Sequence, residues 1–270
     1  MSFKNNIKKI LKKILGINNT KMPQVFKFPK GVYPITETTD NDVFIVGFPK
    51  SGNTLMQHII GHLYYGLNDK TSRSLINLIA PDIYVNSHYF RLNQTCFFKS
   101  HNLPEKRYKN VIYIMRDGRE ALLSYYYMMK NINQDVSLED LYTSKEKIFD
   151  TTWKDHIQAW EKNPYNANIL WVKYEDLLDN KYREIQKICE FLNLNKTKEE
   201  ILDVVNYTSF EYMKQVEQKK DWKLMKKDMF KEGTSFVRSG KLDSYKSEVP
   251  KHLIASFEEY SKETLNKYYS

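Results

Sequence analysis

The sequence predicts a doubly wound α/β domain, on three observations. Four short apolar runs rich in β-branched and aromatic residues, VFIVG (43–47), TCFFK (95–99), VIYIM (111–115) and ILWVK (169–173), alternate with longer stretches of helical periodicity. The first run leads into a glycine-bearing turn, GFPKSGNT (47–54), that opens a helix at about Thr54. Neither an internal repeat nor a low-complexity linker interrupts residues 31–270, and Gly and Pro are too scattered to mark a boundary. A single domain with a central parallel sheet flanked by helices follows.

Ahead of that domain lies a leader, residues 1–30, with eight lysines and no acid. Of the formal net charge of +9, only one unit therefore belongs to the rest of the chain, which excludes a globally basic domain that coats nucleic acid. Ile7, Ile10, Leu11, Ile14 and Leu15 recur at helical spacing, opposite Lys4, Lys8, Lys9, Lys12 and Lys13. Such a helix suits peripheral contact with an anionic membrane through residues 4–15. It equally suits a solvated leader or one docked on the body, and both readings stay open. No apolar run approaches the roughly 20 residues that span a bilayer. Two distant cysteines, Cys96 and Cys189, and the absence of a signal peptide point to a reduced, cytoplasmic protein.

Each expected strand ends in a polar residue. Lys50 follows the first, Lys99 and His101 close the second, Arg116 follows the third and Tyr174 the fourth. In an open α/β sheet the carboxyl ends of the strands share one edge, where ligands bind. Charged residues that merely terminate buried strands would account for any one of these, and less well for all four.

The first loop has the glycine and hydroxyl spacing of a nucleotide-binding P-loop, but Asn53 stands where the lysine belongs and Lys50 appears three positions earlier. Backbone N–H groups and a helix dipole still aim at an anion there, so the cradle suits phosphate whichever lysine completes it. Transfer of a γ-phosphoryl group usually needs Mg²⁺ held by the loop hydroxyl and an acid at a strand end. The third strand ends in Arg116 instead, whereas a sulfuryl group carries less charge and suits lysine and dipoles alone. His58 and His62 stand one turn apart without a third ligand or the glutamate of HExxH, and read as packing or surface histidines. No metal is expected. Glu175 and Asp176 read as charges at a helix start, and Tyr125, Tyr126 and Tyr127 as core and crevice wall. Segments 70–92, 130–150 and 214–236 fit the alternation least well and are candidates for acceptor-facing insertions.

With these motifs in order, the chain resembles the PAPS-dependent sulfotransferases of the cytosolic type over roughly residues 40–250. FPKSGNT is similar to the family's loop for the 5′-phosphosulfate of 3′-phosphoadenosine 5′-phosphosulfate (PAPS), which implies contacts from Lys50, Ser51, Gly52, Asn53 and Thr54. FFKSHNLPE resembles the lysine–histidine element, with Lys99 and with His101 at the position of the catalytic base. RDGREALLSYYYMM resembles the 3′-phosphate motif, through Arg116 and Ser124. WKDHIQAWEKN and ILWVKYEDLL match the helix and strand leading to a cofactor-contacting tyrosine, here Tyr174. YTSFEYMK resembles the adenine segment, with Thr208, Phe210 and Met213, and FVRSGKLDSYK the closing loop, with Arg238, Ser239 and Gly240.

The chain departs from the pattern in three places. Leu55 replaces a tryptophan that stacks on adenine, so dispersion takes over from ring stacking on that face. Ser239 replaces a lysine of the closing loop, with Lys241 and Lys246 as candidate substitutes. The C-terminal segment lacks the short dimer motif of the animal enzymes. The resemblance implies a P-loop-type fold and sulfuryl transfer from PAPS to an acceptor hydroxyl on a small molecule or a lipid, releasing PAP. In it His101 is the general base, with Lys50 and Lys99 stabilising charge on the leaving group. A P-loop kinase and a non-catalytic, membrane-attached nucleotide-binding protein are the alternatives.

Overall fold

The computed structural model describes residues 29–68, 73–218, 240 and 242–269. The expected leader, up to residue 28, lies outside them, as do Arg238, Ser239 and Lys241 and most of segment 214–236. The strands are β1 (Val32–Pro34), β2 (Val43–Val46), β3 (His88–Phe90), β4 (Phe97–Ser100), β5 (Asn110–Met115) and β6 (Asn168–Lys173). Helices α1 (Asn53–Tyr65) and α2 (Arg73–Ile79) follow β2, and α3 (Gly118–Asn131), α4 (Leu138–Tyr142) and α5 (Trp153–Lys162) lie between β5 and β6. Beyond β6 come α6 (Tyr174–Asp179), α7 (Lys181–Phe191), α8 (Lys198–Tyr207), α9 (Phe210–Gln218), α10 (Tyr245–Glu248) and α11 (Lys251–Tyr268).

The central sheet is the expected parallel one, in the order β4-β2-β5-β6. Its register levels the carboxyl ends: Val46 pairs with both Ser100 and Tyr113, and Met115 pairs with Lys173. Parallel strands covered on both faces read as unbroken apolar runs because neither face meets water. In β2, Phe44 and Val46 face one core with Tyr113, Trp153, Trp160 and Phe257, while Val43 and Ile45 face the other with Ile59, Ile60, Ile114 and Ile188.

Side chains close the ends of the helices. Asp117 accepts from Arg119 N at the start of α3, and Thr152 does the same for Asp155 N at α5. A reciprocal Thr197–Glu200 capping box opens α8. The first helix behaves differently. It starts after Gly52 with no side-chain cap and no acid in its first turn, so neither a side chain nor a negative charge compensates its leading N–H groups and positive dipole end.

The short pair β1–β3, which the sequence did not suggest, is antiparallel with Val32 opposite Phe90. Arg91 ties it to the main sheet through a bidentate bond to buried Asp42, which also accepts from Cys96 N. Both cysteines are free and buried. Among the described residues no helix is long and apolar enough to cross a membrane, and no group of three or more His, Cys, Asp or Glu is arranged to hold a metal.

Candidate active site

The loop between β2 and α1 is held in a conformation few residues adopt. Lys50 has φ 71° and Gly52 φ 109°, and Ser51 N donates to Phe48 O at 3.1 Å. A Cβ on Gly52 would stand 2.8 Å from Ile114 Cδ1 and 2.8 Å from Tyr174 Cδ2, so the loop packs against β5 and the start of α6 only because that atom is missing. Ser51 and Asn53 are buried, yet neither the Ser51 hydroxyl nor the Asn53 side-chain amide has a hydrogen-bond partner among the described residues. Buried polar groups without partners are rare. Together with the uncapped N-terminus of α1, they form a cradle with donors in hand for an anionic group. Thr54 is half-buried in the first turn.

His101 lies one residue past β4 and is buried. Its Nδ1 stands 2.7 Å from Gly47 O, in the cradle itself. A carbonyl only accepts, so Nδ1 carries the proton and Nε2 keeps its lone pair. Burial, helped by Lys99 and Lys50, pulls this histidine down to about 4, against Asp82 and the Gly47 bond, which act upward. At neutral pH it is an uncharged base. Lys99 is partly buried and donates to Asp82 Oδ2 at 2.8 Å.

Arg116 directly follows β5 and reaches back to the cradle. Its guanidinium donates to Lys50 O at 3.3 Å, pairs with Glu120 Oε2 at 3.3 Å, and lies 4.5 Å from the centre of the Tyr174 ring. Its Nε is buried without a partner among the described residues. The next residue, Asp117, is an acid at a strand end, but its carboxylate is taken up by Arg119 and by the first turn of α3. Glu175 accepts from Asp117 N at 3.0 Å, and Trp153 Nε1 donates to Arg116 O at 2.9 Å, which fixes the turn that aims the arginine. Glu175 thus does more than charge the start of α6. Ser124 is half-buried on α3.

The segment 207–213 packs along α1, where Tyr207 stacks on His62 with ring centres 5.1 Å apart and Tyr212 meets it edge-on. His58 and His62 are both buried, so the packing reading holds for them and the surface one does not. Thr208 donates its hydroxyl to Val204 O at 2.6 Å, leaving its oxygen only as an acceptor. Lys181 donates to Thr208 O at 2.5 Å, and burial lowers this lysine to about 8. Met213 is buried and Phe210 half-buried. Gly240, at φ 61°, approaches Phe210 so closely that a Cβ would lie 2.6 Å from the ring.

Four residues beside His101 carried no role in the sequence reading. Tyr84 and Phe149 place their rings 6.2 Å and 5.3 Å from the His101 ring and 4.6 Å from each other. They come from segments 70–92 and 130–150, two of the three that broke the alternation. Asp82 joins them from the first segment. His156 on α5 is completely buried, 2.7 Å from Tyr113 Oη and 3.2 Å from His101 O, and burial lowers it to about 3.

The sequence profile of the sulfotransferase domain matches residues 40–269. This chain belongs to the sulfotransferase domain family. Membership makes it a PAPS-dependent sulfotransferase, and the unpartnered donors of the cradle fit an anionic cofactor. Luciferin sulfotransferase of Photinus pyralis is 26% identical over 85% of this chain and 73% of its own length. Sulfotransferase 1 family member D1 of Mus musculus is 27% identical over 86% of this chain and 84% of its own. Among solved structures, retinol dehydratase in complex with androsterone and inactive cofactor PAP shares the fold at a TM-score of 0.70 and 19% identity, covering 85% of this chain and 82% of that one.

Proposed function

We propose that this sulfotransferase acts on an acceptor hydroxyl with His101 as general base. The observation that carries the reading is the 2.7 Å contact between His101 Nδ1 and the Gly47 carbonyl. It ties base and cradle into one unit and leaves Nε2 as the lone-pair nitrogen, able to take the acceptor proton. When bound, PAPS supplies the sulfuryl group that is transferred. Lys50 and Lys99 bring positive charge to the place where negative charge collects. The N–H groups and side chains of Ser51, Gly52, Asn53 and Thr54 hold the 5′-phosphosulfate. Arg116, with its spare Nε, holds the 3′-phosphate together with Ser124 and Arg238. Tyr174, Thr208, Phe210 and Met213 contact the nucleoside, and Ser239 and Gly240 complete the cofactor-binding set. No metal takes part in this scheme.

On the acceptor side, Tyr84 and Phe149 make an aromatic wall at the base, which suits a flat small molecule. The basic leader supports a second reading, in which residues 1–30 form a separate amphipathic unit that brings the domain, residues 31–270, to a lipid or glycolipid hydroxyl.

Mass-detected sulfate transfer from PAPS to phenols, sterols, sugars and glycolipids, with EDTA present, tests the reaction. Activity that requires Mg²⁺ and ATP would instead favour the kinase alternative. Replacing His101 with Ala should lower kcat by about 10²–10⁴-fold, the usual contribution of a general base, while PAP affinity stays within a few-fold. For the unsubstituted enzyme, kcat/KM should be flat in pH down to about 5 and fall as His101 is protonated near its value of about 4. Near-wild-type turnover by His101→Ala would remove the assignment.

A further inference from the structure

The acceptor side of the crevice contains a carboxylate that proton transfer does not require. Asp82 follows α2, and its backbone is stitched alongside β4: Lys99 N donates to Pro81 O at 2.9 Å and Ile83 N to Lys99 O at 3.0 Å. This makes residue 82 a one-residue extension of the sheet, directly beside Lys99. Its Oδ2 accepts from Lys99 Nζ at 2.8 Å and its Oδ1 from Tyr84 N at 2.9 Å. Only 14% of the lysine side chain and 15% of the aspartate side chain are exposed.

The charges around His101 come from separate elements. Lys99 stands on β4, Lys50 in the cradle and Asp82 after α2; Tyr84 and the uncharged His156 adjoin the ring, and Asp150, next to Phe149, and Glu105 lie further out, where they act on Tyr84. Asp82 is the acid that acts on His101 directly. Without it, two ammonium groups would face a buried imidazole, and Lys99, on a stem of four rotatable bonds, would have solvent as its best partner.

We propose that Asp82 is a positioning residue for sulfuryl transfer, holding the Lys99 ammonium beside the base and balancing its charge there. The proposal rests on the assignment of His101 and Lys99 to the reaction. A carboxylate tether fixes a flexible lysine before substrate arrives, so less reorganisation is left for the transition state. The same carboxylate opposes the two lysines at His101 and keeps the imidazole a stronger base than the lysines alone would allow.

The test uses Asp82→Asn, Asp82→Glu and Lys99→Ala in the full chain. Asparagine keeps one acceptor oxygen, which serves Tyr84 N and leaves its NH2 group facing Lys99, so the turn survives and the charged tether does not. Asp82→Asn should lower kcat by about 10–100-fold, within the range seen for residues coupled in one ion-pair network. PAP affinity should stay within a few-fold, and the acid limb of kcat/KM should move to lower pH. Asp82→Glu should recover part of kcat. In the Lys99→Ala background, Asp82→Asn should cost little more, because the group it positions is gone. Independent, multiplying losses from the two substitutions would overturn the proposal, as would an Asp82→Asn enzyme with wild-type kcat and pH profile whose only defect is a lower melting temperature. The His101→Ala enzyme separates the two questions. If it stays active, the base assignment fails whatever Asp82 does; if it is inactive while Asp82→Asn matches wild type, only the positioning role fails.

Discussion

Gly52 and Gly66 offer a matched pair for measuring what the cradle demands of its backbone. Both sit at positive φ, 109° and 65°, at opposite ends of α1. A Cβ at Gly66 would meet nothing within 4 Å, whereas one at Gly52 would stand 2.8 Å from both Ile114 Cδ1 and Tyr174 Cδ2. Alanine at Gly66 therefore carries only the strain of the left-handed region, about 1–2 kcal/mol. Alanine at Gly52 carries that strain and must also displace Tyr174, adding an off-rotamer cost of about 0.5–1.5 kcal/mol. Moving the ring off the Arg116 guanidinium forfeits a further ~0.5–1 kcal/mol, for a total of roughly 2–4.5 kcal/mol. At roughly 2–4 °C per kcal/mol for a chain of this size, Gly66→Ala should melt a few degrees early and Gly52→Ala about twice as far below wild type. Calorimetry with PAP should separate them further: unchanged affinity for Gly66→Ala, and at least ~10-fold weaker binding for Gly52→Ala, whose cradle donors and tyrosine have shifted. A Gly52→Ala protein that melts with Gly66→Ala and binds PAP like wild type would refute the argument.

Two other outcomes are expected. Arg116→Ala should weaken PAP by about 10–150-fold, the equivalent of one charge-assisted contact of ~1.5–3 kcal/mol, and should weaken an analogue lacking the 3′-phosphate far less; equal losses would reduce Arg116 to its bonds with Glu120 and Lys50. The full-length chain should co-sediment with anionic vesicles in a salt-sensitive way while a chain beginning at Lys21 should not, with both binding PAP; equal partitioning would leave the small-molecule acceptor as the better reading.

The parts of the site on the sheet were legible because parallel strands announce themselves. Four apolar runs located β2, β4, β5 and β6 to within two residues, and the polar residues just past them, Lys50, His101, Arg116 and Tyr174, had one edge to share. The proposed acceptor wall had no such signal. Asp82 and Tyr84 lie in a stretch without periodicity, positioned by pairing to β4 that no local pattern reports. Phe149 and Asp150 occupy a tight turn, both at positive φ, between paired Ile148 and Thr151. Such turns usually display Asn-Gly, and Phe-Asp disguises this one. β1 and β3 are three residues each, one of them containing Pro34, and they join positions some sixty residues apart. His156 lies inside the WKDHIQAWEKN stretch, but its burial between Tyr113 and the His101 carbonyl is a fact of packing.

The level carboxyl ends of the sheet also constrain how the chain reaches its working form. Parallel neighbours cannot be joined by a hairpin, so each pairing waits for a crossover to be laid down first. Residue 46 must find residues 100 and 113, and residue 115 must find 173, before Gly47 meets His101 or Arg116 meets Tyr174. Loop closure over such distances is slow and is rewarded only at the end. The Gly47–His101 contact lies within residues 43–101 and the Arg116–Tyr174 contact within residues 110–174, so only the stretch from β2 to the start of α6 contains both, and the finished crevice needs the last crossover.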